Sequence, residues 1–223
     1  MDSMNKKEQL INEGYLIGSI QFDEKIESLI KDIIEFSNNP INLECRYDIT
    51  RKGLEKIHKG TNCTYEESLV YDEYIKTTDK SNYNIYQKWF LIKDNGFFKR
   101  KPFAELSYEI IKDLYDFKTM EDIFNMDDFT MYNDDCFIIP HADNKDDLHD
   151  RVCVVLLYLN KDIPEDGVGG ELIVKNQKGE EIIVKPTYGT YVILDFTQNN
   201  LVHRVSKVKD YKRYAYVNFV HKK

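Results

Sequence analysis

The side chains best placed to do chemistry lie in one mostly apolar stretch, Phe137-Ile138-Ile139-Pro140-His141-Ala142-Asp143, and in His203, sixty-two positions further on. In an extended backbone residues i and i+2 project to the same face. His141 and Asp143 are therefore predicted to converge at a strand end, with Ile139 and Phe137 behind them. Two imidazoles and one carboxylate grouped on one face suit a ferrous ion and leave its other positions open. A His-x-Asp triplet is a weak signal by itself in a chain with 39 acidic residues. Its weight comes from the pattern that follows it.

The second chemically informative residue is Arg213, at the start of the last apolar run. At strand spacing Arg213, Ala215, Val217 and Phe219 share one face, and Tyr214, Tyr216, Asn218 and Val220 share the other. If the first face looks inward, a guanidinium heads an apolar row. A buried charge without a partner costs several kcal/mol, so this one calls for an anion. That anion is either an acidic side chain of the chain itself or a carboxylate on a ligand, and small Ala215 and Val217 leave room for the latter.

The elements that must hold these residues change character along the chain. From Asp128 onward apolar residues recur with a period of two. Strands are predicted at Phe129–Tyr132, Cys136–His141, Arg151–Asn160, Glu171–Lys175, Glu181–Val184, Tyr191–Phe196, Val202–Val205 and Lys212–Val220. Turn residues separate them: Pro164-Glu165-Asp166-Gly167, Lys178-Gly179 and Pro186-Thr187-Tyr188-Gly189. About eight short strands in this span is the count of a double-sheet jelly roll. Val152 to Leu159 is almost continuously apolar, as in a strand covered on both faces.

The front of the chain is mainly helical. Residues 14–20 predict a short strand, after which Asp23 caps a helix with an apolar stripe at Ile26, Leu29, Ile30, Ile33 and Ile34. Asn38-Asn39-Pro40 ends it. Residues 41–63 are ambiguous. Thr64-Tyr65-Glu66-Glu67 is a capping box for a helix reaching about Ile75. Lys76 to Asn84 predicts a mobile loop, and Lys88–Lys93 and Phe97–Arg100 a hairpin about Asp94-Asn95-Gly96. A last helix from Pro102 should bury Phe103, Leu106, Ile110, Leu114 and Phe117, and Trp89 is assigned to the core. The fold class expected is α+β, mainly β: a double-stranded β-helix (jelly roll) core with supporting N-terminal helices. We expect one domain over 1–223, with 1–127 as helical support and variable substrate region and 128–223 as the jelly-roll core.

The net charge is −8, from 31 basic and 39 acidic residues. It argues against bulk nucleic-acid binding and slightly favours neutral or basic partners. The four cysteines are scattered and read as reduced, buried thiols. No apolar run follows the charged N-terminus and none approaches a membrane span, so no membrane association and a cytoplasmic setting are expected. His58, His149 and His221 lack ligand spacing and read as surface or structural residues.

Taken together, His141-Ala142-Asp143, Tyr158-Leu159-Asn160-Lys161-Asp162, Gly169-Gly170-Glu171-Leu172, His203 and Arg213-Tyr214-Ala215 resemble the 2-oxoglutarate- and iron-dependent oxygenases, in particular the prolyl 4-hydroxylase branch. The likeness runs from about Phe129 to Phe219, and the strand and helix at the front look like that branch's N-terminal support. It implies that His141, Asp143 and His203 ligate Fe(II). It also implies that 2-oxoglutarate chelates the metal and places its distal carboxylate on Arg213, assisted by the Tyr158 hydroxyl, with Tyr132 in the same pocket. The implied reaction uses O2 to decarboxylate 2-oxoglutarate to succinate and return a hydroxyl to a substrate, ascorbate being an allowed accessory. The expected substrate is a protein or peptide residue, foremost proline. Two alternatives stay open: the same chemistry on a free amino acid or small metabolite, and a metal-binding jelly-roll module without turnover. The chain departs from the family pattern at Asp135 (near a usual glycine), Val217 (a threonine in some relatives), Phe219 (commonly tryptophan) and Asp195 (usually aromatic or aliphatic). Residues 41–100 match nothing in it, and the substrate lid is placed between Lys76 and the Asn95-Gly96 turn.

Overall fold

The jelly-roll pattern read from residues 128–223 is present in a computed structural model of the chain, which describes residues 5–51, 61–77, 83–93, 100–143, 150–161, 167–197 and 201–223. Helix α1 (Lys6–Glu13), not anticipated from sequence, begins at an Asn5 capping box and ends at Gly14 with φ 76°. Strand β1 (Tyr15–Ser19) and helix α2 (Glu24–Ser37) follow. The Asp23 carboxylate accepts from the Ile26 N–H and so caps α2, which buries Ile26, Ile30 and Ile33.

In the ambiguous span 41–63 the described residues after Asn42 are strand. Residues Leu43–Arg51 (β2) pair with Thr61–Thr64 (β3) and with the long strand Tyr83–Ile92 (β4). The period of two is present there, with Leu43, Cys45 and Tyr47 buried between the half-buried Glu44, Arg46 and Asp48, and the expectation for this span missed it. Between them α3 (Tyr65–Thr77) starts at the expected box: the Thr64 N–H donates to Glu67 and the Glu67 N–H to the Thr64 hydroxyl. Of the loop expected over 76–84, Lys76 and Thr77 belong to α3 and Tyr83 and Asn84 to β4, and 78–82 lie outside the described residues. The Asp94-Asn95-Gly96 turn and Phe97–Lys99 lie outside the described residues, as do His58, His149 and the Pro164–Asp166 part of a predicted turn. Helix α4 (Lys101–Ile111) buries Phe103 and Ile111 completely, while Leu106, Ile110, Leu114 and Phe117 are only partly covered. The helix stops at Ile111, which turns the later apolar residues off the expected stripe.

The eight predicted back-half strands all form: β5 (Ile123–Tyr132), β6 (Phe137–His141), β7 (Arg151–Tyr158), β8 (Leu172–Lys175), β9 (Glu181–Val184), β10 (Thr190–Asp195), β11 (His203–Val205) and β12 (Arg213–Lys222). Among the described residues they join the front strands in one antiparallel sheet of twelve, ordered β1-β10-β7-β12-β5-β4-β6-β11-β8-β9 with β2 and β3 attached to β4. The sheet curls on β4, whose one edge is taken by β2 and whose other edge pairs first with β5, at Phe90 and Leu91, and then with β6, at Gln87 and Lys88. The arm β1-β10-β7-β12-β5 then faces the arm β6-β11-β8-β9. All of β7 after Arg151 is buried, as its unbroken apolar run requires.

Two positions with positive φ lie against the segment that follows β11. Gly169 has φ 76°, and a Cβ there would collide with the carbonyl oxygen of Lys207. Asp135, near a usual glycine of the resembled family, likewise has φ 67°. Aspartate tolerates that left-handed region better than most residues, so the departure keeps the same backbone. Gly169→Ala is expected to lower stability by at least roughly 2 kcal/mol, a fall of about 4–8 °C in Tm, readable by thermal denaturation.

Candidate metal centre

His141 and His203 are direct cross-strand partners in the β6–β11 pair, which is how two residues far apart in sequence become neighbours. Their rings lie 4.4 Å apart. The register slips here: Val205 pairs with Ile138, so β6 spends two residues, Ile139 and Pro140, where β11 spends only Arg204. Pro140 has no N–H to give to a ladder, so a bulge is where a strand can hold it. The bulge also breaks the alternation predicted for the motif. Ile138, not Ile139, shares the cavity with His141, which corrects the expected i, i+2 row.

The Nε2 atom of His141 lies 3.3 Å from Asp143 Oδ1, and Nε2 of His203 lies 3.4 Å from Oδ2. One ligand atom from each residue falls within a 4.8 Å cluster. Bonds of about 2.1 Å to one cation put neighbouring ligand atoms about 3 Å apart, so this spacing fits a shared metal. The imidazoles are also oriented for it. His141 Nδ1 is 2.9 Å from the Ile139 carbonyl and His203 Nδ1 is 3.2 Å from the Leu201 carbonyl. A carbonyl only accepts, so each Nδ1 carries the proton and each Nε2 turns its lone pair inward. Burial raises the Asp143 pKa, but when each Nε2 also carries a proton the hydrogen bonds and charge of the two histidines outweigh it and hold the carboxyl well below the usual range. Arg151 donates from Nη1 to the Asp143 carbonyl at 3.0 Å and stacks on Phe219 at 4.4 Å, tying the motif to the start of β7.

Arg213 sits across the cavity from this trio and is 1% exposed. It pairs in register with Tyr132 on β5, and its neighbour Ala215 pairs with Tyr158 on β7. Those two rings flank the guanidinium at 4.6 Å and 5.0 Å. Burial raises both tyrosine pKa values, an effect the adjacent positive charge opposes. Arg213 Nε and Nη2 and the Tyr158 hydroxyl are buried without hydrogen-bond partners. No described carboxylate lies within ion-pairing distance of the guanidinium. Of the two anions the sequence left open, the internal one is absent among the described residues, and three orphaned donors fit the carboxylate of a ligand.

One cavity of about 170 Å³ joins the two features, lined by His141, Asp143, His203, Tyr132 and Arg213. Tyr158, fully buried, backs the guanidinium. Val217 and Phe219 line the same cavity, whereas Asp195 is buried apart from it and accepts from Tyr115 at 2.9 Å and Thr197 at 2.8 Å. His221 is structural, 3% exposed and 3.3 Å from Asp150. Trp89, expected in the core, is half-buried. It lines the cavity and stacks on Tyr132 at 6.3 Å. Asp128 and Thr130 were missed as lining residues although they share the β5 face with Tyr132, which a period of two could have found. Burial raises the Asp128 pKa, and Arg100 at 3.2 Å opposes the shift. A second, open groove of about 550 Å³ leads outward from His141 and Asp143 past Asp48, Tyr86, Gln87 and Arg151. Nothing in the local sequence marked these residues, because β2 and β4 reach the site only through sheet pairing.

Among the described residues no helix is long and apolar enough to cross a membrane. Residues 128–221 match the model of the 2OG-Fe(II) oxygenase superfamily, whose members work with Fe(II), 2-oxoglutarate and O2. No curated protein matches the chain. Among solved structures, a Pseudomonas putida prolyl-4-hydroxylase is 13% identical with a TM-score of 0.64, over 98% of this chain and 97% of that one. A Trichoplax adhaerens prolyl hydroxylase, in complex with a hypoxia inducible factor oxygen degradation domain peptide fragment, is 13% identical with a TM-score of 0.63, over 97% and 87%. An oxidoreductase of the 2OG-Fe(II) oxygenase family from Burkholderia pseudomallei is 15% identical with a TM-score of 0.61, over 97% and 89%. At such identities the likeness to these structures is one of fold. By the family match over β5 to β12, residues 128–221 belong to the 2OG-Fe(II) oxygenase superfamily.

Proposed function

We propose that the protein is an Fe(II)- and 2-oxoglutarate-dependent dioxygenase that hydroxylates a residue of a protein or peptide, foremost proline. The observation that carries the chemistry is the trio His141, Asp143 and His203 sharing a cavity with the unpaired donors of Arg213. In this reading the trio holds iron, and Arg213 with Tyr158 holds the distal carboxylate of 2-oxoglutarate. Bound there, the metal and cosubstrate supply oxidative decarboxylation with O2, coupled to hydroxylation of the substrate. The chain's own part is positional. The Ile139 and Leu201 carbonyls keep each Nε2 aimed inward, Tyr132 and Tyr158 clamp the guanidinium, and Val154, Leu156 and Val217 keep water from the reacting centre.

The open groove supports a peptide substrate. Tyr86 and Gln87 of β4 flank it, and Arg151 lines it with a buried Nε–H that has no partner, which suits a main-chain carbonyl. A similar fold with a peptide bound, in the Trichoplax enzyme, is consistent with this. One observation favours a second reading, a free amino acid: Arg151 and Asp48 line the same groove and could take a carboxylate and an ammonium. We take residues 1–223 as one oxygenase domain in which β2–β4 form the substrate wall, since β4 pairs with both β5 and β6.

The test is incubation with Fe(II), 2-oxoglutarate and O2 against proline-containing peptides and, separately, free amino acids, reading succinate and a +16 mass shift (one added oxygen) on the substrate. Hydroxylated peptide supports the proposal, and hydroxylated amino acid alone supports the second reading. Asp143→Ala is expected to lose more than about a hundredfold in iron-dependent turnover, because even outer-shell changes cost 10–100-fold. Arg213→Ala is expected to raise the 2-oxoglutarate KM roughly ten- to a hundredfold, the worth of a charged hydrogen bond. Undiminished succinate formation in both variants would end the assignment.

A further inference from the structure

Three carboxylates line the two connected cavities at the metal trio: Asp143, Asp128 and Asp48. Asp143 lies between the two imidazoles. Asp128 has the Arg100 guanidinium at 3.2 Å. Asp48 differs from both. Its Oδ2 accepts from the neutral amide of Gln87, and Gln87 is itself held by the Trp89 indole N–H at 3.0 Å. Its Oδ1 is buried and has no hydrogen-bond partner. No described lysine, arginine or histidine lies within ion-pairing distance of it. This is a negative charge positioned by a relay of neutral groups and left uncompensated.

The placement is specific. Asp48 and Gln87 are register partners on β2 and β4, and Gln87 lines both the groove and the inner cavity. On the far flank Arg151 already gives Nη1 to the Asp143 carbonyl and its face to Phe219. A buried carboxylate oxygen without a partner is costly, and a cation compensates it better than a neutral N–H. The chain's net charge of −8 acts in the same direction at longer range.

We infer that Asp48 is a specificity-determining residue that selects a substrate bearing a basic side chain, lysine or arginine, next to the residue that is modified. This rests on the peptide-hydroxylase reading above. The basic group enters the groove and gives an N–H to Oδ1, while the modified residue reaches the trio. Gln87 and Trp89 are positioning residues, since they act by holding the carboxylate.

The experiment uses the iron-loaded full chain and synthetic peptides with one central proline that differ only in the residue on either side of it: lysine, glutamine or glutamate. The readout is the ratio of kcat/KM for the lysine peptide to that for the glutamate peptide. Each ratio is taken within one preparation, so a change in folded fraction cancels. The wild-type ratio is expected to be roughly tenfold or more at one flank, the worth of a charge-assisted hydrogen bond. Asp48→Asn should bring it close to one, and Asp48→Lys should invert it. A wild-type enzyme that hydroxylates all three peptides equally, or an Asp48→Asn variant that keeps the lysine preference, overturns the assignment of Asp48 while leaving peptide hydroxylation standing. Absence of turnover with every proline peptide, with succinate still formed, overturns both.

Discussion

A guanidinium sealed from water, clamped between two tyrosine rings and lacking an acidic neighbour among the described residues is the constraint on which the rest of the site depends. Left alone, Arg213 would be among the most expensive groups in the interior. Nothing about strand β12 requires it for packing, since Ala215, Val217 and Phe219 continue the same face with apolar surface. The arrangement is intelligible once an anionic ligand is part of the working molecule. The trio across the cavity then has a reason to stand at that distance.

Sheet pairing turns that constraint into a site. β12 lies between β5 and β7, so Arg213 acquires Tyr132 from one neighbour and Tyr158 from the other. β6 and β11 pair with a slip, and the bulge at Ile139-Pro140 aims His141 at its cross-strand partner. β4 joins the two arms and carries Gln87 and Trp89 to the junction of cavity and groove. The trio and the guanidinium thus belong to the family-like half, and one wall of the open groove beside them belongs to strands outside the family match. This division is the usual one in which a rigid scaffold carries the chemistry and its variable additions carry selectivity.

The departures from the family pattern sort themselves by this geometry. Asp135 keeps a glycine-like backbone, so it changes nothing at the site. Asp195 is paid for by Tyr115 and Thr197 on the outer side of the sheet. Val217 and Phe219 are different, because both line the cavity and Phe219 supports Arg151. They alter the shape of the cavity while every group of the trio and the guanidinium remains.

What could be read from the linear chain was what local periodicity and fixed spacing encode. The eight strands from β5 to β12, the Asp23 and Thr64 helix starts, and the face shared by Arg213, Val217 and Phe219 all follow from alternation and capping within a few residues. The fold class and the six site candidates, Tyr132 included, came from those patterns and the resemblance they supported. Tertiary structure decided the remainder. A one-residue bulge moved Ile138 to the face expected for Ile139, which no alternation rule reports. Strand β2 carried a period of two at Leu43, Cys45 and Tyr47, but its pairing along the whole of β4 is a contact that local pattern does not report. Asp48, Gln87, Trp89 and Arg151 gained their roles only when β2, β4 and β7 converged on the trio. A side chain's charge is written in the sequence, but whether that charge is compensated depends on which strands fold beside it.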